Sequence, residues 1–333
     1  MDDFSVGENL ALCDAKSLFT RMMRAMNKRD KRQFLTYLEN EWDPRGCSNV
    51  VNDLSSEHQN GPDKEAEVPP IIKMIIFDIK SRVPFEAILP SENITAPDKG
   101  ENADCDPVAT VHVDGFLYED DEVDTLMDTG KLENSYCADC GSKNIKPCVI
   151  ISHSASYRTM EYIFHNLLPA LRGKTVLDVG SRLGAVLYSA YVLSTAKKII
   201  GVEMNTELCK LQEDMIEKYN MKDRVEVVNK RIEDCPELIR NSDVIIINNA
   251  FEFYVPESVH SEIWKFLRAN ARKGTILVTR PQIEETLKYL NTDIIEDEWV
   301  KHYILQDDDR SHEGGSLISD SLDYPDIACY EVL

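Results

Sequence analysis

The sequence contains no run of about eighteen apolar residues, the length that a bilayer-spanning helix needs. Its opening, MDDFSVGENL, has no basic stretch followed by an apolar one, so no secretory leader is expected. The expected location is therefore the cytosol or nucleus, with no membrane partner. Glycine and proline are sparse, 14 of each in 333 residues, which excludes collagen-like and low-complexity chains. Positive charge is also short: 37 Lys and Arg stand against 59 Asp and Glu, a net charge of −22. A surface of that average sign repels phosphate backbones, so nucleic acid is disfavoured as a partner. Neither a Ser/His/Asp set nor a phosphate-cradling lysine loop is recognisable. The nine cysteines, an odd number without a leader, read as reduced thiols or metal ligands and not as a disulfide framework.

What is present is 43% apolar and 29% charged residue content, enough for one large domain with an extension or for two unequal domains. Composition divides the chain into three parts. In residues 1–45, Leu12, Phe19, Met22, Met26, Phe34 and Leu38 recur at helical spacing and predict two amphipathic helices within 11–42. Residues 46–147 hold 21 acidic against eight basic residues and predict an acidic α+β region. It comprises a polar, flexible linker over 47–70, strands over 71–90 and 108–118, and a short helix over 114–128. In residues 148–333 the texture becomes regular. A helix over 156–171 precedes strands over 175–179, 198–203, 224–229, 242–247 and 275–279, with helices over 184–195, 207–219 and 256–271 between them. Segments 300–306 and 327–333 pair as a closing antiparallel hairpin. This alternation predicts an α/β fold with a doubly wound, mostly parallel seven-stranded sheet. Runs such as VIII and TILV suit strands covered by helices on both faces.

The most informative stretch is TVLDVGSRLG, residues 175–184, a strand that runs into a glycine turn and then a helix. Glycines there let the backbone turn sharply and approach a ligand, and the helix offers free amides at its start. The next strand ends at Glu203, where a carboxylate can accept both hydroxyl hydrogens of a ribose. The third strand is followed by Arg231, Ile232, Glu233 and Asp234, placing an acid within reach of an adenine amino group. The dinucleotide spacing G-x-G-x-x-G falls on Gly180, Arg182 and Ala185, a single match. The S-adenosylmethionine pattern, an acid and then glycines two apart, has three of its four places filled, by Asp178, Gly180 and Gly184.

On these residues the chain resembles the class I S-adenosylmethionine-dependent methyltransferases over 156–333, including the late antiparallel hairpin. The resemblance implies that Asp178, Gly180, Ser181 and Gly184 border the cofactor, that Glu203 binds its ribose, and that Asp234 binds its adenine. The chain departs from the family at Arg182, which stands where a central glycine is usual, so its side chain must point away from the ligand. The fourth strand ends in Asn248, Asn249, Ala250 and Phe251, similar to the Asn/Asp-Pro-Pro-aromatic motif of nitrogen methyltransferases and closer to the Asn-Asn-Phe form of nucleosomal lysine methyltransferases. The resemblance therefore implies an enzyme with Asn248, Asn249 and Phe251 as catalytic residues, acting on a nitrogen of a protein, which the charge further favours as basic. Asn249 and Ala250 replace the usual prolines. In physical terms, Asn248 can accept hydrogens from an amine and aim its lone pair, while Phe251, Phe253 or Tyr254 walls the channel and Glu252 attracts a basic substrate.

Cys137 and Cys140 form half of a zinc knuckle, and Cys148 and His153 follow as candidate third and fourth ligands of a structural zinc. Free thiols in a turn are the competing reading. For the whole chain, a catalytically silent member of the fold acting as an interaction module is the main rival to the enzyme. An RNA, DNA or small-molecule methyltransferase and a nicotinamide-dependent enzyme rank below it.

Overall fold

The computed structural model describes residues 68–97, 99, 105, 109–138, 144–305 and 324–333. All of them fall in one compact unit. The helices expected within 11–42 lie outside the described residues, as does nearly all of the linker over 47–70. Among the described residues, no helix is long and apolar enough to cross a membrane.

The first element corrects an expectation. Residues 71–90 do not form a strand; helix α1 spans Pro70–Lys80 and buries Ile72, Ile75 and Ile79. Those positions are three and four apart, one face of a helix, and the prolines at 69 and 70 suit a helix start. The dense β-branched content of IIKMIIFDIK masked that period. Strand β1 is only Thr110–His112, parallel to β4 (Val149–Ile151). Between them lie helix α2 (Asp120–Asp128), within the expected 114–128, and a small hairpin of β2 (Ser135–Cys137) and β3 (Ile145–Pro147). Glu119 and Glu122 form a capping box on α2, and three acids fill its first turn, where the helix dipole favours negative charge.

Helix α3 (Tyr157–Tyr162) continues into a wider π-helical turn, Ile163–Leu167. Then come β5 (Thr175–Val179), α4 (Ala185–Leu193), β6 (Lys198–Glu203), α5 (Thr206–Lys218) and β7 (Val225–Asn229). The chain goes on through α6 (Pro236–Asn241), β8 (Val244–Asn248), α7 (Glu257–Asn270), β9 (Ile276–Arg280), α8 (Ile283–Tyr289), β10 (Val300–His302) and β11 (Ala328–Val332). The seven-stranded sheet has the order β10-β11-β9-β8-β5-β6-β7. Strands β5 to β9 pair in parallel, and β11 is antiparallel to both neighbours. This is the doubly wound α/β sheet with its closing hairpin that the alternation predicts.

Successive strand residues face opposite sides of the sheet, and both sides are dry. Val176, Ile199 and Ile246 join one core with α1 and Leu187, while Leu177, Ile200 and Ile245 join the other with Trp264. The acidic segment shares the first of these cores: Ile72, Ile75, Phe116 and Leu117 pack there with Met160 and Tyr188. Helix α1 also meets α5 through polar contacts, including the Tyr219 hydroxyl, which donates to Asp78 at 2.6 Å.

Candidate functional site

The strand order reverses between β5 and β8, and a cleft at the carboxyl ends of the strands follows from that reversal. A cavity of about 570 Å³ opens there. It is lined by Gly180, Val202, Glu203, Ile232, Glu233, Asn248, Asn249 and Phe251, together with Ser91, Glu92 and Asn93 from the acidic segment.

At the β6 side, Glu203 is buried, and both of its carboxylate oxygens are oriented by backbone donors. Asn205 N–H donates to Oε1 at 2.7 Å and Arg182 N–H to Oε2 at 3.0 Å. Burial raises the Glu203 pKa, and the two amide bonds pull the other way. Gly180 sits at φ +74, and a Cβ added there would meet the Ala250 Cβ at 3.1 Å, so the β5 turn and the β8 end approach closely. Gly184, at φ +86, lies behind the loop; its missing Cβ leaves room for the Tyr188 ring, which would otherwise lie 2.6 Å away. Ser181 is also behind the loop. Its hydroxyl donates to Gln212 Oε1 at 2.8 Å, and Gln212 Nε2 donates to Arg182 O at 2.7 Å, fixing the turn to α5. Asp178 is fully buried beneath it. Desolvation, with Glu203 nearby, holds its carboxyl well above the ordinary range, and Oδ2 has no partner among the described residues.

Arg182 takes φ +44, a left-handed conformation that glycine adopts more readily than other residues. Its side chain turns toward the acidic segment. Nε lies 2.9 Å from Glu92 Oε1, Nη1 lies 2.8 Å from Asp114 Oδ2, and Nη2 donates to the Ala87 carbonyl. Desolvation lowers the Arg182 pKa, but Tyr254, Asp114 and Glu92 outweigh it and keep the guanidinium charged.

At the β8 side, Asn248, Asn249 and Phe251 all line the cavity. Asn248 Oδ1 is buried with no partner among the described residues. Asn249 sits at φ +47 and donates its N–H to Arg280 O at 2.7 Å. Asn249 also lines a second cavity, of about 480 Å³, whose walls include Tyr118, Asp120, Asp124 and the Arg280–Asp326 ion pair. Tyr254 lines the first cavity, while Phe253 packs beneath against His153, their ring centroids 5.0 Å apart. Glu252 does not face the cavity as expected. It is buried beside His260, with Nε2 of the latter 3.8 Å from its Oε1, and desolvation pushes its pKa up to about 7.

The expected cofactor residues thus divide. Gly180 and Glu203 line the cavity; Asp178, Ser181 and Gly184 shape the turn from behind; and at the third strand it is Ile232 and Glu233, not Asp234, that face inward. The single 3₁₀ turn at Ile232–Asp234 rotates the two acids apart. The expected zinc ligands do not come together among the described residues. Cys137 is exposed on β2, Cys148 is half-buried, and Cys140 lies outside the described residues. His153 is instead a wall of the first cavity, its Nε2 3.0 Å from His112 Nδ1. Burial, Arg182 and His112 push its pKa down to about 3, so the imidazole is neutral. Among the described residues, the three side chains that do come within reach of a common ion are Glu284, Glu296 and His302, none of which lines this cavity.

Sequence reasoning missed Ser91, Glu92 and His153 as parts of this cavity. The one available signal was Arg182 itself, since a cation in a glycine position needs buried anions elsewhere in the chain.

No family model and no curated protein sequence matches the chain. Solved structures do. An RNA methyltransferase from Salinibacter ruber in complex with S-adenosyl-L-homocysteine is 20% identical, with 32% of this chain and 63% of that one covered and a TM-score of 0.27. Precorrin-6y C5,15-methyltransferase from Geobacter metallireducens is 14% identical, with 40% and 65% covered and a TM-score of 0.32. PKMT2 from Rickettsia typhi in complex with AdoHcy is 22% identical, with 37% and 23% covered and a TM-score of 0.30. The chain spans less than two thirds of each of these three chains. The parallel strands β5 to β9, the reversal between β5 and β8 and the inserted antiparallel β11 give this chain a Rossmann-like α/β fold.

Proposed function

We propose that the chain is an S-adenosylmethionine-dependent methyltransferase acting on a nitrogen, with a basic protein as substrate. The observation that carries this reading is the pairing of Glu203 and Asn248 on one cavity, at the carboxyl ends of β6 and β8, the two strands that flank β5. The cavity has the volume of an ordinary cofactor site. Its donor set fits the cofactor: a carboxylate preset by two amides for a diol, a glycine turn without a Cβ, and an unpartnered amide oxygen.

The cofactor, when bound, supplies a methyl group on a cationic sulfur. Glu203 would hold its ribose, Gly180 would let the backbone approach, and Ile232 and Glu233 would border its adenine. Asn248 Oδ1 accepts a hydrogen of the substrate amine and aims the nitrogen lone pair, and Phe251 and Tyr254 exclude water. Alignment supplies most of the rate in such a transfer, and no general base is assigned. The acidic α2 and the 46–147 segment favour a basic protein over nucleic acid.

The main rival is a catalytically silent scaffold, favoured by Arg182 in the glycine position. Transfer of labelled methyl groups in fractionated lysate decides between them. Wild type labels a protein band that Glu203→Ala does not; cofactor binding with no labelled product in any fraction would establish the scaffold.

A further inference from the structure

We infer that residues 87–95 are a strap belonging to the cofactor site, anchored by Arg182, and that strap closure and cofactor binding reinforce each other. This rests on the cofactor reading above. Besides the Ala87 carbonyl, which Arg182 Nη2 holds, the strap touches the site at three places. Beside β6, Asn205 Nδ2 donates to Ser91 Oγ at 3.0 Å, and Ser91 Oγ donates to Glu207 Oε2 at 2.8 Å. In the middle, Glu92 pairs with Arg182. Beyond β8, Thr95 N–H donates to Phe253 O at 2.8 Å. The strap therefore crosses from the ribose side of the cavity to the acceptor side, and Ser91, Glu92 and Asn93 form part of the lining.

These contacts differ in burial. The Arg182–Glu92 pair has side chains 7% and 4% exposed, whereas the bonds of Ser91 are exposed to water. Water competes with the bonds of Ser91 but not with the inner pair, so the strap loosens at Ser91 while Arg182 holds it. Glu92 serves both sides of the anchor: Oε2 accepts from Leu89 N–H at 2.7 Å, holding the strap's own turn, while Oε1 meets the guanidinium. The main chain of Arg182 meanwhile donates to Glu203. One residue thus joins the ribose-binding carboxylate, through its backbone, to the strap, through its side chain. A glycine here would form the same turn without holding the strap, which gives the departure at Arg182 a positive role. Linkage requires that a ligand gripped better by the closed strap also holds the strap closed.

Hydrogen exchange on the full-length protein, with and without S-adenosylhomocysteine, tests this alongside calorimetric titration of the same ligand. In wild type the ligand is expected to slow exchange of the Leu89 and Thr95 amides. In Arg182→Lys and in the near-isosteric Glu92→Gln, both amides should exchange faster even without ligand. Affinity for S-adenosylhomocysteine should fall by about 5- to 150-fold, the usual size of coupling between sites. Thermal unfolding confirms that each variant is folded. If wild type binds and the folded variants bind equally well, or their strap exchange is unchanged, the inference is overturned while the cofactor reading stands. If wild type itself binds no S-adenosylhomocysteine, the cofactor reading fails and the coupling with it.

Discussion

Arg182 Nη1 lies 2.8 Å from Asp114 Oδ2, and both side chains are almost completely withdrawn from water. The pair ties the strand-to-helix turn of the sheet domain to a segment 68 residues earlier. Asp114 is itself anchored: Ser154 Oγ donates to Oδ2 at 2.7 Å and Phe116 N–H to Oδ1 at 3.1 Å. Removing Asp114 leaves Arg182 still paired with Glu92, but takes the acceptor from Nη1, from Ser154 Oγ and from Phe116 N–H. Asp114→Ala is therefore expected to cost about 1–3 kcal/mol. Urea unfolding should also show that Arg182→Ala and Asp114→Ala together cost less than the sum of the two.

Gly184 combines φ +86 with a close approach of the Tyr188 ring. Gly184→Ala should destabilise the protein by about 2 kcal/mol or more, since backbone strain and a displaced buried ring add. Gly173, at φ +78 with open space around its missing Cβ, carries the strain without the clash. Thermal unfolding of Gly173→Ala should show the smaller loss.

Glu252 gives a pH signature. Its carboxyl titrates at about 7 when folded and near 4.5 when not, because burial disfavours the charge. Between those values the folded chain holds a proton that the unfolded chain has released, so this group's contribution to stability falls as pH rises from about 4.5 to about 7 and stays low above. Glu252→Gln removes the ionisation while keeping an acceptor for the Phe251 N–H. It should stabilise the protein by about 1–3 kcal/mol at pH 8 and by much less at pH 5. Denaturant midpoints at the two pH values measure the difference.

Asn248 separates cofactor binding from transfer. Its Oδ1 has no partner among the described residues, and on the proposed reading its partner is the substrate nitrogen. Asn248→Ala should bind S-adenosylhomocysteine within about threefold of wild type yet lose about a hundredfold in methyl labelling, the usual cost of misaligned reactants.

The regular part of the fold was legible because its signals are local. Strands β5 and β6 were bounded correctly from the apolar runs TVLDV and KIIGVE, and the glycine turn between β5 and α4 was plain from residues 180–184. Helix α1 was misread because isoleucine is common in strands, and the spacing of Ile72, Ile75 and Ile79 carried the truer signal. Short helices such as α6 and α8 span six and seven residues, too few for a clear period.

The candidate site was legible along the strands and illegible across them. Gly180, Glu203, Asn248, Asn249 and Phe251 lie at strand ends, where topology directs ligands, so fold-level reasoning brought them to one cavity. The inward turn of Glu233 in place of Asp234, and the inward burial of Glu252, depend on single-residue rotations that spacing does not encode. Glu92 is held at the cavity by pairing with Arg182 across 90 residues, and Ser91 by bonds to Asn205 and Glu207, long-range contacts with no local signature.

Calorimetric titration of S-adenosylhomocysteine into wild type and Glu203→Ala tests the central claim most directly. The account predicts one site in wild type with micromolar affinity. In Glu203→Ala, affinity should drop about tenfold or more, because charge-assisted bonds to the ribose are lost. No heat of binding in wild type at millimolar ligand, or equal affinity in the two proteins, would contradict it.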